Sequence, residues 1–335
     1  MSVRVSILAT PDAMAAPVSG LFELLTYVAA IAPQEGEHRT GEPPFAVEIV
    51  GLEAGPLRTV SGLPLTVHRG IGAVAATDVV IVPSLQMGPD GDWKPGRQPR
   101  AAAWIRAMHA AGAAICSTCS GGLLVAETGL LDGHEATVHW ISEASFRRRH
   151  PAVKLRPDRA LVVADGGRLV SSGASTAWHD LALYLIAHHV GPATAHALAR
   201  FMLVQWHRDG QAPFQVFDPP TDHGDAAVAA AQRWIAAHVA VANPATQMAE
   251  QSGLAARTFK RRFKAATGVP PGTYVQRLRV ERAKRLLERG EESVEAISWA
   301  VGYEDPASFR RLFKRLAGCS AGEYRRRFRL PAASG

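Results

Sequence analysis

Hydrophobic and polar positions follow two regimes along this chain. In the first, short apolar runs alternate with helical patterns. "VRVSILA" (3–9), "FAVEIVGL" (45–52), "TDVVIVPS" (77–84) and "AAICS" (113–117) read as strands. Between them, residues 17–32 carry Leu21, Leu24, Leu25 and Val28 at helical spacing. Residues 101–112 read as a helix closed by Gly112, and 121–129 as another. "ALVVADGGRLVSSG" (160–173) predicts a hairpin turning at Asp165-Gly166-Gly167, and helices over 175–190 and 193–206 close the region. Such alternation predicts a mostly parallel sheet with helices on both faces.

The second regime starts after "RDGQAPFQVFDPPTDHGD" (208–225), a stretch rich in Pro, Gly and Asp that reads as a linker. The expected domains are therefore 1–207, a linker over 208–224, and 225–330. Everything beyond is helical in pattern, over 225–241, 245–251, 256–266, 273–289, 293–301, 306–317 and 320–328. Within it the sequence repeats. "MAEQSGLAARTFKRRFKAATGVPPGTYVQRLR" (248–279) matches "ISWAVGYEDPASFRRLFKRLAGCSAGEYRRRF" (297–328). Phe259, Phe263, Gly268 and Tyr274 correspond to Phe309, Phe313, Gly318 and Tyr324 at a constant offset of 50, and Gly253 corresponds to Gly302 at 49. Each copy reads as a helix-turn-helix. The two phenylalanines, spaced i, i+4, face a core, which leaves Arg257, Lys260 and Arg261, and Arg310 and Arg311, on outer faces.

Charge sharpens this picture. Residues 225–335 carry 20 Lys and Arg against 10 Asp and Glu, whereas residues 1–224 carry 17 against 20. A neutral front and a basic rear point to a polyanion, nucleic acid, as the partner of the rear. A basic helix of this size fits a major groove, and two joined copies fit successive grooves about 34 Å apart. At 335 residues, 47% apolar and 20% charged, the chain is long enough for two cores. It lacks an apolar run of the roughly 18–20 residues that span a bilayer, so no membrane partner is expected. Three cysteines give no disulfide framework and fit a reducing, cytoplasmic setting.

The rear segment, and "AISWAVGYEDPASFRRLFKRLAGCSAGEYR" above all, resembles the DNA-binding domain of the AraC/XylS family of transcriptional regulators. The resemblance implies that Arg257, Lys260 and Arg261 hold base-contacting positions of a first recognition helix. It assigns Ala307, Ser308, Arg310 and Arg311 to contact positions of a second. Because Pro306 and Ala307 have no side-chain donors, the second helix is expected to add affinity more than specificity.

In the front half, "AAICSTCSGGLLVAETGLLDGHEATVHW" (113–140) resembles the nucleophile-elbow segment of the PfpI/ThiJ superfamily, with its class I glutamine-amidotransferase-like fold. "GLLDGHEATVHW" points to the GlxA-type regulators, in which such a domain precedes an AraC-type one. The resemblance puts Cys119 at the elbow, with the N–H groups of Ser120 and Gly121 aimed at its sulfur, where they would stabilise a thiolate or an oxyanion. It also aligns Gly20 and Glu23 with the family's Gly-Pro-x-Glu. The acidic partner position of active members falls on Pro17, Asp12 lies several residues away, and Ser120 stands where active members often have His. His139 is the remaining candidate base.

The fold expected is thus α/β plus all-α: a flavodoxin-like α/β sandwich, then a helical domain with two helix-turn-helix motifs. The function expected is a ligand-responsive transcriptional regulator and not an enzyme, with Cys119 a vestigial elbow residue. Glu23, Cys119, Ser120, His139 and Trp140 are the expected ligand-binding residues. Partners implied are double-stranded promoter DNA, a small-molecule effector of the amine or amino-acid class, a second copy of the chain, and RNA polymerase. Activation is the commoner mode in the family. Two alternatives stay open: a cysteine-dependent hydrolase or amidase, and a thiol redox sensor using Cys116 and Cys119. No metal or cofactor is expected, since Cys116-x-x-Cys119 lacks a second Cys/His pair at ligand spacing.

Overall fold

The computed structural model describes residues 1–35, 42–88 and 93–329. The chain divides into two compact units, Met1–Gln211 and Ala212–Gly335. Among the described residues no helix is long and apolar enough to cross a membrane.

In the first unit the strands are β1 (Val3–Leu8), β2 (Phe45–Gly51), β3 (Gly55–Arg58), β4 (Pro64–Val67), β5 (Arg69–Gly70), β6 (Val79–Val82), β7 (Ala114–Thr118), β8 (Glu135–Ala136), β9 (Lys154–Leu155), β10 (Leu161–Ala164) and β11 (Leu169–Ser172). Seven form one sheet in the order β10-β11-β7-β6-β1-β2-β5. Every pairing in it is parallel except β10 with β11, the expected hairpin. β6 is Val-Val-Ile-Val and wholly buried, as a strand covered on both faces must be. The helices are α1 (Ala15–Ile31), α2 (Pro99–Ala110), α3 (Gly121–Glu127), α4 (Glu143–Arg149), α5 (Trp178–His189) and α6 (Pro192–Phe201). α1 buries Val18, Leu21, Leu24, Leu25, Val28 and Ile31, a stripe at three- and four-residue spacing. The small β3–β4 hairpin and the β8–β9 pair lie outside the alternation that the pattern predicts. α6 is shorter than its pattern. It ends at Phe201, and Leu203 turns the chain at φ +54.

The second unit contains α7 (Ala226–Ala237), α8 (Pro244–Ser252), α9 (Ala256–Thr267), α10 (Pro271–Arg289), α11 (Val294–Ala300), α12 (Pro306–Ala317) and α13 (Ala321–Phe328). α8–α9 and α11–α12 are the two helix-turn-helix motifs. α9 and α12 both end on a left-handed glycine, Gly268 at φ +77 and Gly318 at φ +74, which lets the carbonyl end close with a backbone bond.

The stretch expected to be a linker is built into structure at both ends. The Gln211 side chain is buried in the first unit, where Nε2 donates to Thr137 Oγ1 (3.1 Å), Val138 O (2.9 Å) and Arg159 O (3.0 Å). In the second unit Phe214 meets Phe328 edge-on, Phe217 meets Tyr274, and the buried Lys284 ammonium donates to Gln215 O at 2.6 Å.

Packing at the start of α3 gives a test. A Cβ on Gly121 would stand 2.4 Å from the carbonyl oxygens of both Val82 and Pro83, whereas one on Gly122 would meet a Val138 methyl at 2.8 Å. Backbone cannot step aside as a methyl can. Gly121→Ala is therefore expected to destabilise the first unit by about 3 kcal/mol and Gly122→Ala by roughly 1 kcal/mol. Urea unfolding of the two variants, followed by tryptophan fluorescence, measures the difference; equal losses would contradict it.

Candidate functional site

β7 delivers Cys119 at the C-terminal edge of the sheet with φ +51, a left-handed conformation that costs a non-glycine residue about 1–2 kcal/mol. Its N–H donates to Ser172 O at 2.7 Å, which holds the turn, and α3 begins two residues later. This is the sharp strand-to-helix elbow that the sequence implies. The thiol is 7% exposed, and its Sγ lies 3.8 Å from Ser175 Oγ.

The surroundings of the elbow are committed elsewhere. The Ser120 hydroxyl donates to Leu85 O at 2.5 Å and accepts from Leu85 N–H at 2.8 Å, so it ties α3 to the loop after β6. The Asp12 carboxylate accepts from Arg97 at 2.6 Å and Gln98 at 2.8 Å. His139 Nδ1 accepts from Ile141 N–H at 3.2 Å, and burial lowers the pKa of the ring, so it stays neutral. Trp140 packs its ring against His139, 5.4 Å between centroids, and its backbone N–H donates to Gln211 Oε1 at 3.1 Å. Cys116 is fully buried in β7, and burial pushes its thiol up to about 12, where it holds its proton at neutral pH. Cys116 and Cys119 are both free thiols.

Glu23 stands apart from this cluster. It is exposed on α1 and lines a groove of about 600 Å³ with Gly20, Phe22, Tyr27, Trp178 and Phe201. Gly20 is what brings α1 against α5, since a Cβ there would lie 2.3 Å from the Trp178 ring. Tyr27 stacks on Phe201 at 5.2 Å along the rim. Cys119, Ser120, His139 and Trp140 do not line this groove. The expected ligand set is thus split, and the aromatic wall was missed.

In the second unit both motifs present the same surface. Phe259 and Phe263 on α9, and Phe309 and Phe313 on α12, are fully buried. Arg257, Lys260, Arg261 and Lys264 are all exposed, and their spacing puts them on one stripe; Ala307, Arg310, Arg311 and Lys314 form the equivalent stripe. The two stripes differ in what holds them. Arg310 pairs with Glu295 of α11. Arg311 donates to Ser308 Oγ at 2.8 Å and lies 3.8 Å from Asp305. Ser308 itself donates to Asp305, the residue that caps α12. The capping bonds from the Ser308 hydroxyl and from the Ala307 and Ser308 N–H groups hold the Asp305 carboxyl below its usual range. On α9, Arg262 is drawn to Asp225 at 2.8 Å.

Comparison with known proteins places both halves. Residues 33–188 match the DJ-1/PfpI family and residues 248–327 a helix-turn-helix domain family. The chain is 25% identical over 308 residues to the HTH-type transcriptional regulator CdhR of Pseudomonas aeruginosa, covering 91% of this chain and 88% of that one. It is 26% identical over 312 residues to the HTH-type transcriptional regulator GlxA of Rhizobium meliloti, covering 91% and 93%. A crystal structure from Vibrio parahaemolyticus shares the fold at TM-score 0.50 and 20% identity, over 60% of this chain and all of its own. One chain thus joins a segment like the DJ-1/PfpI family to a helix-turn-helix segment, and over nine-tenths of its length it is similar to HTH-type transcriptional regulators.

Proposed function

We propose that this regulator is effector-responsive and reads promoter DNA chiefly through α9. The observation that carries the reading is the stripe Arg257, Lys260 and Arg261, exposed opposite a buried Phe259–Phe263 pair and with no intramolecular partner among the described residues. Guanidinium groups without partners are open to bidentate pairing with guanine edges. Arg310 and Arg311 already meet carboxylate or hydroxyl oxygens, and Ala307 has no donor. That arrangement suits α12 to the phosphate backbone, which fixes position without reading sequence.

The effector proposed is a small amine or amino-acid derivative. Support comes from the α1–α5–α6 groove, where one carboxylate, Glu23, sits among Phe22, Tyr27 and Trp178. Rings and a carboxylate together suit an ammonium group on an apolar body. The regulator acts as a homodimer and activates transcription through RNA polymerase in this reading. The apolar rim of Tyr27, Phe201, Met202 and the 90% exposed Leu203 supports a further copy covering this face. Cys119 is read as fold architecture, because its neighbour is a serine hydroxyl and the nearby acid Asp12 is spent on Arg97 and Gln98.

Four outcomes are expected. On a duplex selected from a random pool, Arg261→Ala costs about 1–3 kcal/mol and leaves scrambled DNA nearly unaffected. Arg311→Ala weakens both duplexes alike and lowers the salt slope by about one. Fluorescence anisotropy across a salt series reads both variants, and the reverse pattern would reassign specificity to α12. In a thermal-shift screen of amines and amino acids, a ligand at a hundredfold over its Kd stabilises by about 2.7 kcal/mol. That shift disappears in Glu23→Gln; a hit that survives the substitution places the effector elsewhere. Cys119→Ser leaves DNA affinity and effector response unchanged, whereas loss of a hydrolytic turnover in this variant would support the enzyme reading.

A further inference from the structure

The DNA-binding unit holds two hydrophobic cores that do not merge. Phe259, Phe263 and Tyr274 belong to the first, and Phe309, Phe313 and Tyr324 to the second. α10 passes through both, giving Tyr274 and Val275 to one and Val280, Ala283 and Leu287 to the other. At the changeover, on the buried side of α10, stands a charge. Arg279 is 9% exposed.

This guanidinium bridges the loop that leads into the first motif and the turn of the second. Nε donates to Val239 O at 2.9 Å and Nη2 to Val241 O at 2.8 Å, both in the loop between α7 and α8. The guanidinium carbon lies 5.1 Å from the centre of the Tyr303 ring, in the turn of the second motif. The preceding residue, Gly302, leaves no room for a side chain. A Cβ there would stand 2.6 Å from Ala240 O and 2.8 Å from Arg279 Nη2. The turn of the second motif is therefore pressed onto the loop that leads into the first, with a planar cation wedged between them. The strap 214–217 also reaches both cores, with Phe214 on Phe328 and Phe217 on Tyr274. Its contacts join each motif to the strap, not one motif to the other.

A buried guanidinium is a poor way to gain stability, because desolvation offsets most of what its bonds return. It is a good way to fix geometry. Two carbonyls and one ring define its plane, and Arg alone offers a rigid fork that meets both at once. We propose that Arg279 is a positioning residue for DNA recognition, setting the separation and angle between α9 and α12 so that the chain demands one fixed spacing between two half-sites. This rests on the reading of α9 and α12 as the two recognition helices.

The consequence is measurable because DNA is helical. One inserted base pair moves the second half-site by about 3.4 Å and rotates it by roughly 35°. Two motifs locked together profit from high effective concentration at one geometry only; loosened motifs tolerate several. The experiment uses the full chain and a duplex selected from a random pool, with the half-sites mapped by footprinting and then separated by zero to five inserted base pairs. The wild type is expected to lose affinity about tenfold on a single insertion, and Arg279→Met to vary less than about threefold across the series. Arg279→Met should still bind either half-site alone as the wild type does, with weaker binding of the intact site. Arg279→Lys, which keeps the charge and one bond, should fall between. A wild type indifferent to spacing, or an Arg279→Met as sharply dependent as the wild type, overturns the inference. If Arg279→Met melts early, Tyr303→Leu is read in the same assay, since it removes the ring and leaves both carbonyl bonds; spacing dependence as sharp as wild type again overturns it. Failure of the wild type to select any sequence is a separate result, which overturns the DNA-recognition reading itself.

Discussion

The shared burial of α10 is the constraint on which the DNA-binding unit depends. A two-helix motif is too small to enclose an aromatic pair by itself. Each motif instead borrows a face of the long helix or the turn after it. Tyr274, at the start of α10, meets Phe263 edge-on at 5.0 Å, and Tyr324 on α13 meets Phe313 in the same way at 5.6 Å. These edge-to-face contacts hold the phenylalanine side of α9 and α12 inward. The basic side has only one direction left. Exposure of Arg257, Lys260 and Arg261 is thus a product of core packing.

Burial decides the chemistry of the first unit as well. The parallel sheet ends in a set of loops tied to one another by short bonds: Met14 N–H to Ser84 O at 2.9 Å, Gln86 N–H to Asp12 O at 2.8 Å, and Ser120 to both backbone groups of Leu85. The elbow strain at Cys119 persists because Gly121 must sit within van der Waals reach of the Val82 and Pro83 carbonyls. The elbow keeps its sharp turn at Cys119, while the Asp12 carboxylate and the Ser120 hydroxyl serve the loops around it. The groove with a lone carboxylate lies elsewhere, between α1, α5 and α6.

Electrostatics separates two motifs that sequence makes look alike. Both stripes carry cations at equivalent positions. On α12 the cap Asp305 and the α11 residue Glu295 draw Arg310 and Arg311 into intramolecular pairs. On α9, Ala255 takes the capping place and has no carboxylate to offer, so Arg257, Lys260 and Arg261 face solvent, while Arg262 beside them pairs with Asp225. Exposed pairs of this kind are worth at most about 1 kcal/mol, too little to prevent DNA binding but enough to orient a side chain beforehand.

The sequence by itself determined the architecture. Apolar periodicity is a local property, and it named the parallel strands β1, β2, β6 and β7, the β10–β11 hairpin and all seven helices of the second unit. The repeat exposed both helix-turn-helix motifs and their outward cations, since a helix of known phase assigns its own faces. What the tertiary structure decided was every question of meeting. The groove around Glu23 brings α1 together with α5 and α6, which lie about 150 positions further along the chain, and no local pattern records that they converge. Arg279 falls on the buried stripe of α10, where a charge reads as an irregularity until the Val239 and Val241 carbonyls are seen to receive it. The hydroxyl of Ser120, one of the expected ligand-binding residues, is closed onto Leu85, a partner 35 positions back along the chain. Burial and hydrogen-bond partnership depend on distance in space, and only the packed chain sets that distance.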